Sequence, residues 1–247
     1  MQTCIIIPAR YDSKRFPGKP LVKLLGKSMI IWVAELANKV LPKEDIYIAT
    51  DSKLIEQEII QHEFNCIRTG NALTGTDRVA LASKELNYDF FINIQGDEPL
   101  LDPQDIEKCI KLKYKFPQYI INGFNIIGNN ENPNSRNIPK LVTNDNNELI
   151  YISRALIPSQ KDVSNNIKIE YKKQVCIYGF SKKELNLFYD YGRKSDLEKF
   201  EDIEILRFFE LRTKIKMFKC RKGSIAVDIP SDVLKVEKLL KNQQINK

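Results

Sequence analysis

The sequence predicts an α/β protein in which helices flank a mostly parallel, Rossmann-like sheet, with an inserted antiparallel hairpin lobe. Over the first ~125 residues, short apolar runs alternate with amphipathic segments of helical length, a pattern typical of βαβ units. From about Gly128, a polar stretch precedes two strand-like runs around an Asn-rich turn, which indicates a hairpin. The 247 residues suffice for one large domain with a full core.

The elements of the first part follow in order. Residues 3–9 form a continuous apolar run, as expected of a strand covered on both faces. Ser28 is a candidate N-cap for the helix that follows, and Pro103 fits a first helical turn. The predicted strands are 3–9, 45–51, 64–69, 88–97 and 118–126, and the predicted helices are 28–41, 52–63, 75–86 and 103–115.

The second part completes the same fold. The pattern predicts a hairpin over 138–158, strands over 175–180 and 213–220, and helices over 196–212 and 230–241. We interpret 1–247 as a single domain without internal repeats.

Composition excludes several classes of protein. The formal charge of +7 comes from lysines spread along the chain without an arginine-rich, aromatic-interleaved tract, so we expect no nucleic-acid partner. No apolar run reaches membrane-spanning length, and none resembles a signal peptide. Five scattered cysteines without CxxC spacing indicate reduced thiols in a cytoplasmic protein. A single histidine, His62 in a polar helical stretch, makes a Ser/His or Cys/His triad improbable.

The loop after the first strand is unusually basic. The sequence IIIPARYDSKRFPGKPL carries four cations within ten residues, and Ser13 adds a hydroxyl donor. Walker A fails because Pro20 replaces the required hydroxyl residue, and GxGxxG is missing. Ligands bind beyond the carboxyl ends of parallel strands, and arginine and lysine suit phosphate oxygens. The loop is therefore either a triphosphate site or a solvated basic turn.

Two acidic stretches favour the triphosphate interpretation. INIQGDEP places Asp97 just beyond an apolar strand, and SIAVDIPSD repeats the arrangement at Asp228, where we predict another strand. Mg²⁺ commonly binds one or two protein carboxylates together with substrate phosphates. With the basic loop, the two aspartates indicate metal-assisted phosphoryl or nucleotidyl transfer.

These motifs, together with others along the chain, resemble those of a known protein family. PARYDSKRFPGKPL, IYIATD, TGTDR, NIQGDEPL, YISRALIP, IYGF, EILRFFE and AVDIPSD occur in the order found in CMP-Kdo synthetases (3-deoxy-manno-octulosonate cytidylyltransferases). The chain is similar to that family from about residue 2 to 240. The resemblance implies a nucleotidyltransferase fold, a homodimer, and CTP, Mg²⁺ and a 2-keto sugar acid as reactants. Its product would serve surface polysaccharide synthesis. Within the single domain, residues 1–125 would mainly bind the nucleotide. Residues 126–180 would form the hairpin lobe, the sugar pocket and the dimer contacts, and residues 181–247 would complete the sheet and the sugar and metal site.

The resemblance also implies roles for individual residues. Lys19 and Arg15 would offset charge on the departing pyrophosphate, and Asp97 and Asp228 would hold Mg²⁺. The other implied nucleotide-binding residues are Pro8, Ala9, Arg10, Ser13, Thr74, Gly75, Thr76 and Gln95. The implied sugar-binding residues are Arg154, Gln174, Tyr178, Glu204 and Ile205, with Arg154 as partner of the substrate carboxylate.

Departures from the family pattern concentrate on the sugar side. Gln174, Cys176 and Phe180 replace a histidine, a glycine and a tyrosine of HxGIYxY, Ile205 replaces a glutamine of LEQLR, and Asn71-Ala72 replaces a DH pair. Ile205 can form no side-chain hydrogen bond. We therefore expect an acceptor that lacks or modifies a hydroxyl of Kdo. A different acidic acceptor, including a phosphonate, and a non-catalytic nucleotide-binding regulator are the alternatives.

Overall fold

A computed structural model describes residues 1–12, 16–161, 169–221 and 225–245. The strands are β1 Thr3–Ala9, β2 Lys23–Leu24, β3 Lys27–Ser28, β4 Ile46–Thr50, β5 Asn65–Arg68, β6 Phe90–Ile94, β7 Ile120–Ile126, β8 Lys140–Thr143, β9 Leu149–Ser153, β10 Lys172–Ser181 and β11 Ile215–Lys219. The α-helices are α1 Met29–Ala37, α2 Lys53–Gln61, α3 Gly75–Lys84, α4 Pro103–Lys115, α5 Lys182–Asp190, α6 Asp196–Glu201, α7 Arg207–Glu210 and α8 Asp232–Ile245. Short 3₁₀ turns span Lys19–Leu21, Lys43–Asp45 and Glu204–Leu206.

The main sheet follows the order β11-β7-β10-β6-β1-β4-β5. Along this path β10 alone is antiparallel to its neighbours, β6 and β7, and the remaining pairs are parallel. The antiparallel pair β8–β9 joins the sheet through β10. The predicted mostly parallel sheet and hairpin are confirmed. The strand predicted over 175–180 is part of β10, which lies inside the sheet between β7 and β6.

Helices cover both faces of this sheet. Ile5 and Ile7 of β1 pack in the core layer that contains α1, α2 and α4, whereas Cys4 and Ile6 pack in the opposite layer, which contains α3 and α5. The alternation explains why residues 3–9 are apolar without interruption. Because β1 pairs in parallel with β4 and with β6, the carboxyl ends of these three strands meet at one edge of the sheet.

Local capping explains most differences from the predicted elements. Ser28 does occupy the N-cap position of α1, but its hydroxyl donates to Glu58 instead of capping the helix. The sequence pattern missed α5, although Ser181 and Glu184 form a capping box at its start. The single helix predicted over 196–212 is wrong: Asp202 has φ 50°, and this left-handed residue ends α6. The chain then turns inward, so that Ile203 is buried.

Candidate active site

Lys19 and the two predicted metal-binding aspartates meet at one point. The Lys19 Nζ lies 2.5 Å from Asp97 Oδ2 and 3.7 Å from Asp228 Oδ1. The Lys19 side chain is 15% exposed, so its charge is only partly screened by solvent. Lys19 and Asp97 are 78 positions apart in the sequence. The sequence predicted that they lie in one site.

The backbone conformation of the basic loop directs Lys19 into this cluster. Gly18 has φ 67°, a left-handed conformation that glycine adopts at little cost, and its N–H donates to the Tyr11 carbonyl at 3.0 Å. The 3₁₀ turn Lys19–Leu21 follows at once, with Pro20 buried. The turn therefore fixes the Lys19 backbone on one side of the cluster.

Backbone contacts hold the two aspartates side by side. The Val227 N–H donates to the Asp97 carbonyl at 3.0 Å, and the Asp232 carboxylate accepts from the N–H groups of Asp228 and Ile229 at 2.9 and 3.0 Å. The strand predicted before Asp228 is wrong, since residues 225–228 have no strand conformation. Asp228 instead lies in a loop fixed by Asp97 and by the first residue of α8.

Other predicted nucleotide-binding residues lie at the same edge of the sheet. Pro8 and Ala9 are buried in the last part of β1, and Arg10 follows them exposed to solvent. A Cβ on Gly96 would lie 3.1 Å from the Pro8 carbonyl oxygen, so glycine permits the loop after β6 to approach β1 closely. Ser13 and Arg15 lie outside the described residues.

The Thr74–Thr76 turn meets two further predicted residues at the start of α3. The Glu204 carboxylate accepts from the N–H groups of Gly75 and Thr76 at 3.0 and 2.8 Å, where the helix dipole favours an anion. The Gln95 side chain also lies here, with its Oε1 3.6 Å from the Cβ position of Gly75. The structure thus brings the predicted nucleotide and sugar sides into contact through Glu204.

Thr74 itself has a structural role in this conformation. Its hydroxyl oxygen accepts from the Asp77 N–H at 3.2 Å and its hydroxyl donates to Asp77 Oδ2 at 2.7 Å. Thr74 is therefore the N-cap of α3, and its hydroxyl hydrogen-bonds to Asp77 as both donor and acceptor.

A buried ion network that the sequence reasoning missed supports this turn. Arg207 is fully buried; it donates to both Asp77 oxygens at 2.7 and 3.1 Å and to both Glu198 oxygens at 2.8 Å. Arg207 is three residues beyond Glu204, so the two residues hold successive positions of the α3 terminus. The TGTDR and EILR motifs contain these residues, but nothing in either motif alone indicates the pairing.

Two predicted sugar-side residues are buried in the same core layer, Tyr178 on β10 and Ile205 in the 3₁₀ turn Glu204–Leu206. Tyr178 is 7% exposed and stacks on Phe180 with ring centroids 5.7 Å apart. Burial raises the pKa of the Tyr178 phenol well above its ordinary value, and Cys176 and Glu204 add to the effect. Ile205 is 2% exposed within the core layer beside α3 and α5. This placement corrects the expectation that Ile205 presents an apolar surface to the acceptor.

The other two sugar-side residues bind neighbouring protein groups. The Gln174 amide donates to Asn122 Oδ1 at 3.1 Å. The Arg154 guanidinium donates to the carbonyls of Glu201, Arg136 and Asp202, the last two at 2.8 and 3.0 Å. Arg154 thus ties the β8–β9 hairpin to the end of α6. Its five N–H donors still leave capacity for a ligand carboxylate.

The donor set at Asp97 and Asp228 fits Mg²⁺. Both side chains offer carboxylate oxygens, and they already face a common cation, the Lys19 ammonium. In the described part of the chain, no group of three or more His, Cys, Asp or Glu side chains could hold a metal ion. Asp97 and Asp228 therefore suit an ion that binds two protein carboxylates and completes its coordination shell with phosphate or water oxygens.

Comparisons with known proteins find similar sequences over most of the chain. A family model described as cytidylyltransferase matches residues 4–215. An 8-amino-3,8-dideoxy-manno-octulosonate cytidylyltransferase of Shewanella baltica is 36% identical over 249 residues, covering 97% of this chain and 99% of that protein. A 3-deoxy-manno-octulosonate cytidylyltransferase of Christiangramia forsetii is 34% identical over 239 residues, covering 95% of each.

A solved structure is similar over the whole fold. It is a CMP:2-keto-3-deoxy-manno-octonic acid synthetase complexed with CTP, with a TM-score of 0.90 and 31% identity over 98% of this chain and 100% of that one.

Proposed function

Since the chain belongs to the cytidylyltransferase family and is a nucleotidyltransferase, we propose that it transfers CMP from CTP to a 2-keto-3-deoxy sugar acid. The anomeric hydroxyl of the acid attacks the α-phosphorus, the bond to the β-phosphate oxygen breaks, and pyrophosphate leaves. The observation that carries the proposal is the Lys19 ammonium between Asp97 and Asp228 at 2.5 and 3.7 Å. The CTP complex of the similar synthetase supports CTP as the nucleotide.

The residues of the site have different roles in this reaction. Lys19, with Arg10 and Arg15 of the basic loop, binds the triphosphate and offsets the charge that grows on pyrophosphate. Gln95 and the Thr74–Thr76 turn contact the cytidine, and Arg154 binds the acceptor carboxylate. Asp97 and Asp228 would hold Mg²⁺, which when bound neutralises phosphate charge and lowers the pKa of the attacking hydroxyl.

The acceptor that we propose is Kdo or its 8-amino analogue. The similar proteins of Christiangramia forsetii and Shewanella baltica carry these two names at 34% and 36% identity. The 8-amino sugar carries an amino group in place of one hydroxyl of Kdo. The substitutions at Gln174, Cys176 and Phe180 supply the local differences on which such a preference would depend.

Pyrophosphate release with CTP, Mg²⁺ and each acid in turn tests the proposal. We expect turnover with Kdo or its 8-amino analogue and none without an acid. Release only with an unrelated acid or a phosphonate would replace the proposed acceptor, and no release with any acid would favour a non-catalytic nucleotide-binding regulator.

We also propose a cytoplasmic homodimer whose product feeds surface polysaccharide synthesis. All five cysteines are free thiols, which is typical of a reducing compartment. Among the described residues, no helix is both long and apolar enough to cross a membrane. The mass measured by light scattering tests the dimer, since one chain is 28.7 kDa.

A further inference from the structure

The side chain of Asn93 has no hydrogen-bond partner in the described structure. Asn93 lies on β6, is fully buried, and leaves both Nδ2 and Oδ1 unpaired. A buried amide without partners is costly, and such groups are rare enough in folded proteins to require an explanation. The NIQGDEP motif contains this residue, yet no role has been assigned to it.

Strand register places Asn93 beside the proposed acceptor site. Asn93 is directly opposite Tyr178 in the antiparallel pair β6–β10, so the two side chains are neighbours on one face of the sheet. The Oε1 of Gln95, two positions along the chain, lies 3.6 Å from where a Cβ on Gly75 would be, at the start of α3. Asn93 therefore lies on β6 close to Gln95, which is among the residues that join the nucleotide side of the site to the sugar side.

A second buried asparagine shows what a satisfied amide at this level looks like. Asn122 on β7 is also opposite Tyr178 and is also fully buried. Its Nδ2 donates to the carbonyls of Val175 and Ile177 at 3.0 and 2.8 Å, and its Oδ1 accepts from Gln174. The protein thus supplies partners for the amide on one side of Tyr178 and none for the amide on the other.

We propose that Asn93 is a specificity-determining residue whose amide hydrogen-bonds a hydroxyl or amino group of the acceptor sugar. The inference rests on the proposed function. An amide offers both a donor and an acceptor, which matches a hydroxyl fully and a protonated amine through Oδ1 alone. Because Asn93 is covered in this structure, acceptor binding has to displace side chains that lie over it.

Steady-state kinetics of Asn93→Leu tests this inference, with Kdo and its 8-amino analogue as the acids. We expect kcat/KM for the preferred acid to fall roughly 10- to 100-fold, because a buried polar group of the sugar loses its partner. The KM for CTP should stay unchanged. The melting temperature should hold or rise, because leucine removes an unpaired buried amide of similar size.

Asn186→Leu is the matched control. Asn186 also has a buried, unpaired side-chain oxygen, but it lies on α5, which starts beyond the carboxyl end of β10 and thus at the opposite edge of the sheet. It should leave the kinetics for the acid unchanged. Asn93→Ser, which keeps a smaller polar group, should retain more activity than Asn93→Leu and serves if the leucine variant does not fold.

Two results would overturn the inference. Wild-type kcat/KM for the acid in Asn93→Leu would make Asn93 only an unsatisfied core residue, and a raised KM for CTP alone would make it a nucleotide contact. Either result leaves the proposed function standing, whereas absence of pyrophosphate release by the wild type with both acids would remove the function itself.

Discussion

The Lys19 ammonium nitrogen lies 2.5 Å from Asp97 Oδ2, and Asp228 approaches the same nitrogen at 3.7 Å. One basic and two acidic groups therefore share a partly buried space at the carboxyl edge of the sheet. Removing the Lys19 ammonium would leave two neighbouring carboxylates that repel each other there. The first two predictions concern this cluster.

Replacing Lys19 with alanine should lower kcat more than it raises the KM for CTP. Charge on the pyrophosphate grows toward the transition state, so the ammonium is worth more there than in the ground state. By analogy with other charge-stabilising donors, we expect a loss of about 2–4 kcal/mol of transition-state stabilisation. Lys23→Ala, at a 55%-exposed lysine of the same segment, is the control. A change confined to KM would assign Lys19 to ground-state binding.

Replacing Asp97 or Asp228 with asparagine should nearly abolish turnover while the protein remains folded. An amide keeps the shape of the side chain but lacks the charge that a divalent cation requires. Circular dichroism and pyrophosphate release, measured together, check this expectation. Asp145→Asn, in the exposed β8–β9 turn, is the control. Near-normal turnover in either variant would take that aspartate out of the mechanism.

Replacing Arg207 with methionine should strongly destabilise the protein. Asp77 and Glu198 would be left buried without their cation, a change that typically costs about 3–5 kcal/mol. Urea unfolding of the variant and of Arg193→Met, whose side chain is 61% exposed, measures the difference. A loss below about 1 kcal/mol would show that the network contributes little to folding.

Replacing Ile205 with glutamine should destabilise the fold before it alters specificity. Ile205 is 2% exposed in the core, and an unpartnered amide there costs roughly 1–3 kcal/mol. Urea unfolding tests this expectation, with Ile150→Gln, at a 56%-exposed position, as the control. Unchanged stability together with a changed preference between acids would return Ile205 to the acceptor pocket.

The predictions from sequence succeeded where a pattern is local. The apolar run at 3–9 gave the bounds of β1, and Pro103 marked the start of α4, because burial on both faces and proline geometry leave direct traces in the chain. Lys19, Asp97 and Asp228 could be grouped in part because Lys19 and Asp97 follow strands that end at one edge of the sheet.

Long-range contacts could not be predicted in the same way. Arg207 and Asp77 are 130 positions apart, and neither neighbourhood indicates that a guanidinium is needed. The left-handed residue Asp202 interrupts a helical pattern without a glycine or proline to mark it. The buried position of Ile205 depends on that interruption, so periodicity alone could not separate a core residue from a pocket wall.

The most direct test of cytidylyl transfer follows the α-phosphate of CTP. With ³²P at that position, Mg²⁺ and Kdo or its 8-amino analogue, the account predicts that the label moves into a phosphodiester of the sugar acid, with one pyrophosphate released per label transferred. The Asp97→Asn variant should transfer none. Formation of labelled CDP, or of free CMP with no labelled sugar, would mean that the attack occurs elsewhere on the triphosphate or comes from water, and would contradict the account.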